Sequence, residues 1–318
     1  MKPDDEAARF PSAKTIVALD ALTKKHADTA RAADAWRLVT GAAANPDFHA
    51  VLDFAREYEL VLPCEQTDPT AANLTWTNPI DGSEMVWIPA GKFVFGTEGK
   101  TAECAGFSLA RWPVTNEQFS GFAIDAEYVP DRTLPDDDAY LSNWPRGALP
   151  HGKENHPVTF VSLFDALAYC TWAGMTLPTE WMWEKAARGP DGRPYPWGEG
   201  SFGNKKLAHV GATETCKVGK FTHVRSPYGC EELVGNVSEW CYPTEEKVPV
   251  GAFPPPGEVI PLPRPAGPTV YTVVRGACYL RTSATAMKSS HRRNLSVTRR
   301  NQWVGFRPAC LLPVRPAA

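Results

Sequence analysis

Between residues 281 and 303 the chain carries Arg281, Lys288, His291, Arg292, Arg293, Arg299, Arg300 and Trp303. A guanidinium holds five N–H donors in a rigid fork and keeps its charge at physiological pH. Such a run suits a carboxylate, a phosphate or an acidic peptide. The competing reading is internal, because Glu180, Glu184 and Glu239 are carboxylates able to absorb several of these arginines as structural ion pairs. Nucleic acid is not an expected partner. It would call for further basic residues interleaved with aromatics, whereas the stretch 131–138 is acidic and the net charge is -3.

A second constellation is Glu232-Leu233-Val234-Gly235-Asn236-Val237-Ser238-Glu239. A glycine-containing turn with a carboxylate on either side suits a hard cation, which takes several oxygens, some of them backbone carbonyls. The cysteines point elsewhere. All 8 are scattered with no C-x-x-C pair, the pattern of buried thiols rather than of a disulfide framework or a soft-metal site.

These residues need a scaffold, and 318 residues, 43% hydrophobic and 22% charged, supply enough chain for a sizeable globular core. No apolar run approaches the roughly 20 residues that cross a bilayer, and Met1-Lys2-Pro3-Asp4-Asp5-Glu6 lacks the order of a secretory signal. A cytoplasmic protein with no membrane partner is expected. Residues 1–73 read as a short helical extension and linker, with apolar residues at helical spacing over 12–60. From Leu74 to the end at 318 a second region begins, rich in Trp, Gly and Pro. Met85 to Gly96 reads as two short strands about a turn at Ala90-Gly91, and helices are expected after Thr115, Ser162 and Thr179. Residues 249–268 contain Pro249, Pro254, Pro255, Pro256, Pro261, Pro263, Pro265 and Pro268, which excludes helix and central strand and implies a surface insertion.

Several phrases recur in a telling order: Met85 to Gly96, Pro113-Val114-Thr115-Asn116-Glu117-Gln118-Phe119, His156-Pro157-Val158, Leu177-Pro178-Thr179-Glu180, Tyr195-Pro196-Trp197-Gly198, Leu233 to Trp240, and Gly305-Phe306-Arg307. Together they resemble the formylglycine-generating enzyme (sulfatase-modifying factor) family over about residues 75–312. The resemblance implies an α+β fold: an irregular, loop-rich domain of the C-type-lectin-like kind. It also implies calcium at the Gly235 turn, held by the side chains of Glu232 and Glu239 and the backbone oxygens of Gly235 and Val237. Family members more often have Asp or Asn where Glu232 stands. A second family calcium position, near His209, lacks its asparagine.

The resemblance further implies that oxidase members bind Cu(I) through two cysteines shortly after an Arg-Gly-Gly-Ser-Tyr phrase, thiolates being what that ion requires. Here the phrase is Arg275-Gly276-Ala277-Cys278-Tyr279, and the two positions hold Arg281 and Ala286. Neither binds copper. Cys278 takes the place of the family's serine and reads as a small buried residue. An iron-type relative is equally unexpected, since the extension offers only His26 and His49. No copper, haem or nucleotide is therefore expected. Arg275, Arg292 and Arg307 match family positions and are assigned to structure. The expected function is a binding module whose loop contacts a protein or small anionic ligand through Arg281, Lys288, His291, Arg293, Arg299, Arg300 and Trp303, with the N-terminal helices docking a partner. It resembles the variable proteins of diversity-generating retroelements or a partner subunit of an effector. The alternative is an oxidoreductase of the same superfamily using a non-cysteine site.

Overall fold

A computed structural model describes residues 75–310, apart from 79, 133, 135–138, 200–205 and 243–269. The N-terminal extension and the proline-rich insertion lie outside the described residues. In chain order come β1 (Thr75–Thr77), β2 (Glu84–Ile88), β3 (Gly91–Phe95), β4 (Lys100–Cys104), β5 (Phe107–Ala110), α1 (Asn116–Asp125), α2 (Leu163–Trp172), α3 (Glu180–Arg188), β6 (Ser238–Trp240), β7 (Tyr271–Arg275), α4 (Ala284–Met287), β8 (Arg292–Ser296), β9 (Val304–Gly305) and β10 (Ala309–Cys310). Long loops join them. None of the described helices is long and apolar enough to cross a membrane.

Three helix starts follow from local chemistry. Thr115, Ser162 and Thr179 are extended N-caps whose side-chain oxygens accept the amides of Gln118, Asp165 and Met182, and each third residue reaches back to its cap. This satisfies amides that a helix start otherwise leaves open, which is why the sequence marks these points so clearly. The two strands about Ala90-Gly91 also form, but in different sheets. β2 lies between β1 and β5, with β10 beyond, whereas β3 pairs with β4 in a separate two-stranded sheet among the described residues.

A second four-stranded sheet runs β8-β7-β6-β9. β7 is antiparallel to both neighbours, and β6 is parallel to β9. Helix α3 backs onto this sheet and is almost wholly buried, charged residues included. Glu180 and Glu184 occupy one face at i,i+4, and the cross-strand pair Arg275 and Arg292 meets them. Lys185 donates to the carbonyls of Pro89, Gly91 and Cys104, so its buried ammonium ties α3 to β3 and β4. Two apolar clusters flank this helix and sheet. One is an aromatic group of Phe119, Phe122, Tyr169 and Phe306 from α1, α2 and the chain end, and the other gathers Val86, Phe107, Met182 and Trp183. The seven cysteines among the described residues are free and buried.

Gly276, directly after β7, is a point where only glycine fits. Its φ is +76°, and a Cβ would stand 2.8 Å from the Leu233 carbonyl oxygen and 3.1 Å from the Trp183 ring. Gly276→Ala is expected to cost on the order of 2 kcal/mol, measured by urea unfolding, because the backbone oxygen has nowhere to go. A loss below ~0.5 kcal/mol would contradict this packing.

Candidate functional site

The segment linking β7 to β8, residues 276–291, is held at several points. The amides of Gly211 and Ala212 donate to the carbonyls of Arg281 and Tyr279 at 3.1 and 2.9 Å. Met287 drops into an apolar cluster with Tyr195, Ala208, Val210, Val234 and Ala277. The Ser289 amide donates to Pro194 O at 2.8 Å. At the far end Arg275 pins the carbonyls of Ser290 and His291 at 3.2 and 3.1 Å, while its other nitrogen donates to Glu184. The four-residue helix α4 is capped by Ser283. The loop is thus positioned before any ligand arrives, which reduces the ordering cost of binding.

Its outer face forms a cavity of about 350 Å³ lined by Leu280, Arg281, Thr282, Ser283 and Ala286 from the loop and by His291, Arg292 and Arg293 at the start of β8. Among the described residues no carboxylate lines it. Arg292 is neutralised by Glu180, with Nε to Oε2 at 3.0 Å. Arg293 stacks its guanidinium over the Trp303 ring at 4.4 Å. Its acidity is strengthened first by burial and then by the neighbouring Arg281 charge. His291 is held below the usual histidine range by burial, then by Arg275, Arg281 and Arg293. Arg281 thus stands close enough to His291 and Arg293 to disfavour their charged forms.

The structure sorts the seven residues expected to contact a ligand. Arg281, His291 and Arg293 come together on the cavity wall, and Trp303 supports it from beneath Arg293. Lys288 and Arg299 are exposed but are not among the lining residues. Arg300 corrects the expectation: it is 2% exposed, donates to both oxygens of Asp165 at 2.9 and 3.1 Å, and stacks on Tyr140. The chain turns after β8 and carries that side chain inward. Leu280, Thr282 and Ser283 were not singled out from sequence, although their place beside Arg281 in one loop would have indicated them. The arginines assigned to structure pair as expected: Arg275 with Glu184, Arg292 with Glu180, and Arg307 with Glu239.

A family model described as the sulfatase-modifying factor enzyme 1-like domain matches residues 71–311. The chain belongs to this family. It is 33% identical over 214 residues to a formylglycine-generating enzyme of Thermomonospora curvata, covering 49% of this chain and 70% of that one. It is 32% identical over 212 residues to a bovine protein named inactive C-alpha-formylglycine-generating enzyme 2, covering 49% and 69%. Against a hercynine oxygenase of Mycolicibacterium smegmatis the identity is 31% over 190 residues, covering 49% and 44%. Among solved structures, PvdO from Pseudomonas aeruginosa superposes with a TM-score of 0.56 at 20% identity, over 76% of this chain and 99% of that one. Treponema denticola variable protein 1 gives 0.53 at 20% identity over the same shares, 76% and 99%. At such identities the structural likeness speaks for the fold alone.

Family membership raises two metals, and the residues here answer for each. Copper does not fit: Arg281 and Ala286, at the two thiol positions implied by the resemblance, line the cavity side by side with cations and offer no soft donor. At the Gly235 turn the fit is partial. Glu232 has one buried carboxylate oxygen, Oε1, without a partner, while Oε2 accepts Asn236 at 2.9 Å. Glu239, however, is committed elsewhere. Its Oε2 accepts from Trp183 and from Arg307, both at 2.7 Å, and its Oε1 accepts from Arg307 at 2.8 Å. The second carboxylate of the expected calcium set is therefore turned to an arginine. The Trp197 indole nitrogen, also buried without a partner, lines the same small space as Glu232. The side chains of the set thus fit calcium only in part.

Proposed function

We propose that this chain is a non-oxidase member of the family whose β7–β8 loop binds an anionic group, presented by a small molecule or a partner protein. One observation carries the reading. The two positions that hold thiols in the oxidase pattern are Arg281 and Ala286, and both line a cavity rimmed by cations and, among the described residues, free of carboxylates. Arg281 puts a positive charge at its edge. One relative, the bovine protein, is itself named inactive.

Anisotropy of a fluorescein-labelled hexaglutamate peptide tests the proposal. Arg281→Ala and Arg293→Ala are each expected to weaken binding by tenfold or more, from the ~1.5–3 kcal/mol of a hydrogen bond to a charged group. Lys288→Ala, off the lining, should change it less than about twofold. Binding indifferent to Arg281 and Arg293 would refute the site. The likeness to a hercynine oxygenase favours a second reading, an oxidoreductase with a non-cysteine site. Oxygen consumption with thiol or catechol substrates that survives Arg281→Ala would establish it against the binding-only account.

A further inference from the structure

We propose that the ligand group of this cavity is a tetrahedral dianion, a phosphate monoester or the free ion, and that its binding protonates His291. The inference rests on the reading of the cavity as an anion site and concerns which anion fits. Arg281 reaches it from the loop and Arg293 from β8, and among the described residues neither is paired with a carboxylate. The two donors thus come from different elements, and Thr282 and Ser283 also line the cavity. A planar carboxylate presents two oxygens in one plane and is satisfied by a single forked guanidinium. A tetrahedral oxyanion presents its oxygens in several directions and meets donors from both elements. Charge points the same way. Two unpaired guanidiniums in one cavity are neutralised by two negative charges and left in excess by one.

His291 lines the same cavity. The charged groups around it are Arg275 from β7, Arg281 from the loop, and Arg292 and Arg293 from β8. The carboxylates that reach this end of the sheet, Glu180 and Glu184, are held by Arg292 and Arg275. The Cys278 thiol is kept neutral by burial, so it contributes no negative charge. Burial first and these cations second hold the empty site's imidazole neutral. A bound dianion reverses the local field and favours imidazolium, so binding and proton uptake are linked. Leu280, 43% exposed at the cavity edge, gives an apolar contact for the organic part of an ester.

Calorimetry on the full chain with sulfate, inorganic phosphate, phenyl phosphate and acetate tests this. Sulfate keeps its charge from pH 5.5 to 7.5, so any pH dependence belongs to the protein. Sulfate is expected to bind at least about tenfold more tightly than acetate at pH 6, the advantage of a second charged contact. Its affinity should rise about tenfold from pH 7.5 to 5.5, with one proton taken up in buffers of different ionisation enthalpy, one pKa unit of linkage being tenfold in affinity. His291→Gln should flatten that profile while leaving sulfate bound. Phenyl phosphate exceeding inorganic phosphate identifies an ester; equality identifies the free ion as sufficient. Acetate equal to sulfate, or a flat sulfate profile in the wild type, overturns the inference. In that event hexaglutamate binding that still needs Arg281 keeps the anion-site reading. Loss of both removes both.

Discussion

Arg307→Ala is expected to lower the unfolding free energy by about 3–5 kcal/mol, a large share of the 5–15 kcal/mol that holds a domain together. Arg307 is fully buried and its fork is used at every nitrogen. It donates twice to Glu239, and it also donates to the carbonyls of Ala110, Arg111 and Glu231. The loss does not measure the value of an ion pair. Its size comes from what remains: a buried Glu239 with only Trp183 as donor, and the carbonyls of Ala110, Arg111 and Glu231 each short of a donor. Arg307→Lys should recover little, because an ammonium cannot span two carboxylate oxygens and three carbonyls at once. Glu239→Gln should be severe from the other side, leaving the arginine uncompensated. Chemical denaturation of the single and double variants gives the coupling, and a loss under ~1 kcal/mol for Arg307→Ala would show that the pair does not anchor the fold.

Stability should fall as pH rises from about 4.5 to 7 because of Glu232. Burial raises its carboxyl from an ordinary 4.5 to about 7, with Asn236 and Arg307 only partly opposing. In that window the unfolded chain has released the proton and the fold still holds it. The folded state binds more protons, so stability is complete below pH 4.5 and is lost as pH passes through 7. The difference is on the order of 3 kcal/mol at pH 8. Glu232→Gln keeps the shape without the charge and should remove most of the slope, leaving the variant more stable than the wild type at pH 8 in chelator-treated buffer. Calcium bears on the same residue. Because Glu239 is held by Arg307 and Trp183, millimolar calcium is expected to leave the melting temperature unchanged. A rise of several degrees in the wild type that is absent in Glu232→Gln would mean that the turn accepts a cation after all.

How legible the molecule was depends on the range over which each feature is decided. Capping is a three-residue affair, so Thr115, Ser162 and Thr179 announced their helices from sequence. The two strands about Ala90-Gly91 were equally local, but their assignment to separate sheets was not, since β5 and β4 supply the partners. The structural arginines could be assigned because the family's ordered phrases carry them along with Glu180, Glu184 and Glu239. Glu232 was recognised as a possible ligand, but nothing in its neighbours told of Trp197 in the same small space.

By itself the sequence determined the family, the helix starts, and the absence of thiols at the two positions that copper chemistry needs. Only the tertiary structure decided the fate of individual charges. Arg293 and Arg300 are the same side chain a few residues apart, and in sequence they were equal candidates. One lies over Trp303 at the cavity; the other is drawn under the sheet to Asp165, 135 residues earlier in the chain. Glu239 likewise meets Arg307 across 68 residues rather than a cation across its own turn. A buried charge takes whichever partner the packing of distant elements brings within reach, because leaving it alone costs several kcal/mol. That choice is made by long-range contacts, and residue type and local spacing do not contain it.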